Sequence, residues 1–168
     1  LEERGFEVLL VDARRIKNVS GRKTDVVDCQ WIQQLHTFGL LSAAFRPADD
    51  ICVLRAYMRQ RDGLIIQAGQ HIQHMQKALE QMNLKLAMVL SDVTGQTGMA
   101  IIDDILAGER DPEKLAKHRH GRCKHDESTI ARALTGHYRV EHVFALRQAV
   151  TQYRQCQQLL LECDTEIV

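Results

Sequence analysis

The sequence predicts a mostly α chain: one short strand near the start, then a long antiparallel helical arm. Three observations predict it. Only one run, Glu7-Val8-Leu9-Leu10-Val11, reads as a buried strand, set between Gly5 and Asp12. Stepping by three and four from Ile51 passes Leu54, Met58, Arg61, Ile65, Ala68, Ile72, Met75, Leu79, Met82, Leu86 and Val89, and eleven of these twelve positions are apolar. A second series, Val143, Leu146, Val150, Tyr153, Gln157, Leu160, Asp164 and Ile167, steps the same way with six of eight apolar. Aromatics at 5 % and only 2 prolines argue against a β sandwich.

Each element follows from local chemistry. After the strand, Ala13 to Lys23 reads as a basic loop with Asn18, Ser20 and Gly21 as turn formers. Thr24 stands at an N-cap position, and Asp25 to Leu35 reads as a helix whose first-turn acids suit the positive end of its dipole. Gly39 is the expected stop, and Leu40 to Ala48 the connector. Asp49 or Asp50 caps a helix of roughly forty residues, long against an average of about 11–12. Gly63 and Gly69 weaken it without breaking it. The apolar seam of such a helix needs cover, which the helix from Val143 supplies. Between them lie shorter helices: Thr97 to Ala107 stopped by Gly108, one opened by Asp111-Pro112, and one opened by Asp126 or Ser128 and closed by Gly136. The organisation expected is residues 1–48 as one piece and 49–168 as the arm, with a short-helix tip at about 94–137.

Composition excludes several classes. With 45 % apolar and 26 % charged residues, the 168-residue chain is ordinary globular material. No apolar run approaches the ~18 residues of a membrane span, and Leu1-Glu2-Glu3-Arg4 has no leader-like character. Five cysteines without a Cys-x-x-Cys pair give neither a disulfide framework nor a zinc knuckle, so reduced thiols in the cytoplasm are expected. The chain lacks an initial Met and ends inside a helical pattern, so it is expected to be an internal piece of a longer protein.

Net charge is zero, but the charges are segregated. Ala13 to Arg61 holds nine Lys or Arg against four acids, and Arg110 to His125 holds six against two, with three histidines besides. Two basic segments in a neutral chain point to a polyanion; the plainer alternative is a solvated face balanced by acids elsewhere. Arg14, Arg15, Lys17, Arg22, Lys23, Arg55, Arg59 and Arg61 are the residues expected to contact nucleic-acid phosphates. His118, His120 and His125 lie near Cys123, but the spacing fits no familiar zinc pattern. Asp103 and Asp104 read as the solvent side of an amphipathic helix.

The sharpest motif is Gly21-Arg22-Lys23-Thr24-Asp25-Val26-Val27-Asp28. Asp25 and Asp28 stand three apart at a helix start, so both carboxylates project from one face. Such a pair can hold a hard cation such as magnesium, and paired ions of this kind perform in-line phosphodiester displacement. From spacing alone the commoner reading is that the two are first-turn acids that only complement the dipole.

The run Ile16 to Ile32 with Leu35, Gly39-Leu40-Leu41 and Leu54-Arg55-x-x-x-Arg59-x-Arg61 closely resembles the DEDD-type insertion-sequence transposases. Arg122-Cys123-Lys124, Ile130 to Leu134 with Gly136, and Cys163-Asp164-x-Glu166-Ile167 resemble the arm of that family. The resemblance implies that residues 1–48 end an RNase H/RuvC-like α/β domain, that 49–168 form a coiled-coil arm, and that a serine-bearing domain follows. It implies a DNA transposase or recombinase working with DNA, Mg2+ and a structured guide RNA, as a homo-oligomer. Asp25 and Asp28 match the last two acids of the DEDD set; the first Asp and the Glu are expected before Leu1, so the piece alone is expected to be inactive. Asp12 stands where the family has an amide, and Cys29 where it usually has alanine; neither is given a catalytic role. The competing reading, from the seam alone, is a non-catalytic helical dimerisation module.

Overall fold

The structure is a computed structural model and describes residues 1–16, 25–45 and 47–167. Lys17, Arg22, Lys23 and the Thr24 cap lie outside the described residues. Among the described residues the architecture is helical: α1 Ala13–Ile16, α2 Asp25–Thr37, α3 Asp49–Gln81, α4 Leu86–Val89, α5 Gln96–Ala107, α6 Pro112–Ala116, α7 Glu127–Ala133 and α8 Val140–Ile167. The chain divides into two compact units, Leu1–Val53 and Leu54–Val168.

The first unit corrects two expectations. The apolar run at 7–11 is not a strand: it makes a single antiparallel bridge, Val11 with Ala43, beside a 2.7 Å bond from the Ala44 N–H to the Leu10 carbonyl. A strand needs a partner ladder along its length, and among the described residues only the connector residues 43–44 meet it. Nor is the basic stretch all loop, because Ala13–Ile16 makes the helical turn α1. The stop at Gly39 is where expected: its φ of +66° is the left-handed conformation that glycine adopts without penalty. At the start of α3, Ala48 rather than an aspartate accepts the first bond, from the Cys52 N–H at 3.0 Å, while Asp50 accepts from the Ile51 N–H at 2.8 Å.

The second unit holds the core. Met75, Leu79, Met82, Leu84, Leu86, Ile101, Ile102, Ile105, Leu115, Ile130, Leu134 and Leu146 are each almost wholly buried. α3 has 33 residues rather than forty. It ends because Asn83 turns left-handed, at φ +58°, and two bonds hold the break open: His137 N–H to the Met82 carbonyl at 2.9 Å and Lys85 N–H to the Ala133 carbonyl at 2.8 Å. Asparagine is one of the few non-glycine residues that take this conformation readily. The seam keeps its expected buried positions Ala68, Met75, Leu79, Met82 and Leu86 but departs from them locally. Leu64, Ala68, Met75 and Leu79 are buried in α3, while Ile65 and Met58 are exposed; in α8 Cys156 is buried and Gln157 exposed.

Two polar seam positions find each other. Arg61 Nε donates to Asp164 Oδ1 at 2.6 Å, and Tyr57 Oη donates to Glu166 Oε2 at 3.5 Å, so the outer ends of α3 and α8 run antiparallel. The Asp164 carboxylate holds the Arg61 guanidinium protonated above its ordinary range.

The tip is built from caps and glycines. Asp111 accepts from the Glu113 N–H at 3.0 Å with Pro112 behind it, and Asp126 accepts from the Thr129 N–H at 2.9 Å. Gly108 ends α5 at φ +110°. Gly136 does not close α7, which ends at Ala133; it is the place where the chain passes the end of α3, and a Cβ there would lie 2.2 Å from the Met82 carbonyl oxygen. Asp103 and Asp104 are only half exposed and carry cross-links: Arg154 Nη2 donates to Asp103 at 2.6 and 2.8 Å, and His118 Nε2 meets Asp104 Oδ2 at 2.6 Å.

Candidate nucleic-acid and metal site

Asp25 and Asp28 occupy the first turn of α2, where the positive end of the helix dipole favours negative charge. Both are exposed. Three residues beyond Asp28 stands Trp31, and its Nε1 donates to the Ile16 carbonyl at 3.2 Å. That bond ties the stripe carrying the acids to the end of α1, whose turn bears Arg14 and Arg15. Trp31 is the single tryptophan of the chain, and its positioning part was not read from the sequence. Residues three apart on a helix share a face, so the acid pair stands on the side of α2 that Trp31 anchors.

The donor set has the right chemistry for a hard cation. Mg2+ takes one or two carboxylates and fills its remaining positions with water and phosphate oxygens. Asp25 and Asp28 supply two carboxylates open to solvent. Among the described residues no group of three or more His, Cys, Asp or Glu side chains gathers as a metal cage, either here or around Cys123.

The expected phosphate contacts divide. Arg55 and Arg59 lie exposed on α3. Arg61 is half-buried and paired with Asp164. The second basic segment divides too. Arg110 lies over the Tyr138 ring at 4.6 Å and donates to the carbonyls of Ile105 and Glu109, both at 2.6 Å. Lys114 reaches Glu109 at 3.4 Å, and Arg119 donates to the carbonyls of His125 at 2.7 Å and Cys123 at 3.1 Å. These three cations shape the tip.

No helix among the described residues is long and apolar enough to cross a membrane. No curated protein and no solved structure matches the chain. One family model does: DEDD_Tnp_IS110, described as a transposase, over residues 1–84.

Proposed function

Since the chain belongs to the DEDD_Tnp_IS110 transposase family, we propose that it serves as part of a DNA recombinase, with residues 1–48 closing a RuvC-like catalytic domain and 49–168 forming a coiled-coil arm. The observation that carries this reading is the pair Asp25 and Asp28, both solvent-open on the first turn of α2, on the stripe anchored by Trp31.

Asp25 and Asp28 hold Mg2+ together with the further acids that the family resemblance implies. When bound, the ion supplies charge stabilisation for an in-line phosphodiester displacement. The residues of this chain do the rest. The positive end of the α2 dipole lies beside the two carboxylates and favours negative charge there. Trp31 fixes the helix against α1 so that the pair keeps its aim. Arg14, Arg15, Lys17, Arg22, Lys23, Arg55, Arg59 and Arg61 bind the phosphate backbone of DNA and of a structured guide RNA, Arg61 by exchanging its bond to Asp164. The protein acts as a homo-oligomer through the arm, since recombination must hold two DNA ends together.

Recombination by the intact protein tests the site. Asp25→Asn and Asp28→Asn should each abolish recombinant product while leaving circular dichroism and DNA binding in place. Full activity in either variant overturns the assignment. If product forms normally without divalent ions, the metal reading falls with it.

A further inference from the structure

A cavity of about 850 Å³ opens at the helical tip, between the segment 87–97 and the loop 120–125. Its size falls in the range of small-ligand pockets. The loop contributes His120, Arg122, Lys124 and His125 to its lining. The segment 87–97 contributes apolar lining from Ala87, Met88, Val89 and Leu90, and Gln96 lines the cavity too. The one acid in the lining is Asp92, whose Oδ1 is already engaged by the Thr94 N–H at 2.8 Å and the Thr94 hydroxyl at 2.7 Å.

The loop is held open from within. Arg119 is spent on the carbonyls of Cys123 and His125, and the His120 N–H donates to the Thr97 hydroxyl at 3.1 Å. His120 Nδ1 accepts from the Arg122 N–H at 3.2 Å, which leaves its other ring nitrogen as a donor. Among the described residues no carboxylate pairs with Arg122 or Lys124. Two unspent cations, two imidazole rings and an apolar lining thus share one concave site. The start of α5 borders the same cavity, and Gly95 offers no side chain to cap it, which adds a partial positive charge there.

We propose that this cavity binds a nucleotide of single-stranded nucleic acid. Arg122 and Lys124 hold the phosphate, an imidazole of His120 or His125 stacks on the base, and the Gln96 amide meets the base edge. Unstacked bases are recognised by such rings and amides, whereas a base inside a duplex cannot enter a pocket without leaving its stack. The site lies in the second unit and does not involve Asp25 or Asp28.

The test uses the full chain with labelled oligo(U), oligo(dT) and a duplex, read by fluorescence anisotropy against salt, together with photocrosslinking from 4-thiouridine. Arg122→Ala with Lys124→Ala should weaken single-strand binding about tenfold and make the salt slope shallower by about 0.7, the share of one phosphate on a single strand. Lys77→Ala with Arg139→Ala, away from the cavity, should change neither. Crosslinks should map to residues 87–97 or 120–125 and persist in Asp25→Asn/Asp28→Asn, so that the tip site and the acid-pair reading fail separately. Tighter binding of oligo(U) assigns the strand to RNA, and equal binding of the two strands assigns the backbone and base alone; both uphold the site. Duplex bound more tightly than single strands, crosslinks elsewhere only, or an unchanged affinity in the double variant overturns it.

Discussion

Residues 1–53 and 54–168 differ in what they do with apolar surface. In the first unit no described side chain is buried: Phe6, Val8, Leu10, Phe38, Leu40 and Phe45 are all exposed, and the apolar run at 7–11 meets only a bridge. In the second unit helices α3 to α8 close over a core of nineteen buried residues running from Met75 to Val150. The candidate acids Asp25 and Asp28 thus stand where burial contributes little, whereas the family match runs on to residue 84 and into the packed core. Short units have too much surface for their volume to be held by a core of their own. Folding stability and chemistry are therefore separable here, and substitutions should separate them.

The largest expected effect is core truncation. Ile101→Ala or Leu79→Ala, both at 1 % exposure or less, should cost ~2–5 kcal/mol in urea denaturation followed by the helical signal. Leu10→Ala in the first unit should stay within about 0.5 kcal/mol. Equal losses at the two places would break the comparison.

Glycines sharpen it next. A Cβ at Gly98 would lie 2.1 Å from the Val93 carbonyl oxygen, and at Gly136 2.2 Å from that of Met82. Gly98→Ala and Gly136→Ala should each cost about 1–3 kcal/mol, because backbone must move. Nothing stands within 4 Å of a Cβ at Gly63 in mid α3. Gly63→Ala should therefore stabilise by about 0.5–1 kcal/mol. A thermal melt of each variant reads the sign.

Acid should loosen the second unit at its tip. Bonds from the Asp111 and Arg110 N–H groups hold the Glu109 carboxyl below its ordinary range, and bonds from Thr129 and Ser128 do the same for Asp126. A carboxyl whose folded pKa is depressed adds stability above its unfolded value, and that stability is lost as pH falls through the folded one. The loss should begin near about pH 4 and continue below it. Amide hydrogen exchange at α7 should report it, and Asp126→Asn, which keeps an acceptor without the titration, should flatten the profile.

The smallest effect is the clasp of Arg61 and Asp164. Both are partly exposed, so a double-mutant cycle should show weak coupling that fades in high salt. Coupling that survives salt would mean a drier seam than the structure shows.

Many helix starts and stops were legible. Asp111-Pro112 and Asp126 announced their helices, Gly108 and Gly39 their stops, because a cap or a left-handed turn is decided by neighbours in the chain. The strand at 7–11 was misread because an apolar run has the same pattern whether or not a ladder meets it. In the candidate site the acid pair was legible from its three-residue spacing. The Trp31 anchor was not, since its acceptor is Ile16, fifteen residues away.

The sequence by itself determined the helical class, the caps and stops, the approximate extent of α2, α5 and α8, and the family through the motif around Asp25 and Asp28. Those follow from interactions within a few residues, which spacing and residue type encode directly. Only the tertiary structure decided where α3 breaks, because that depends on His137 and Lys85 bonding to the carbonyls of Met82 and Ala133. It alone chose Leu64 and Cys156 for the interior over Ile65 and Gln157, paired Arg61 with Asp164, and faced residues 120–125 toward 87–97 across a cavity. Each of these joins residues tens of positions apart. The energy that selects such contacts lies in packing and hydrogen bonding between segments, which a periodic pattern along one segment does not contain.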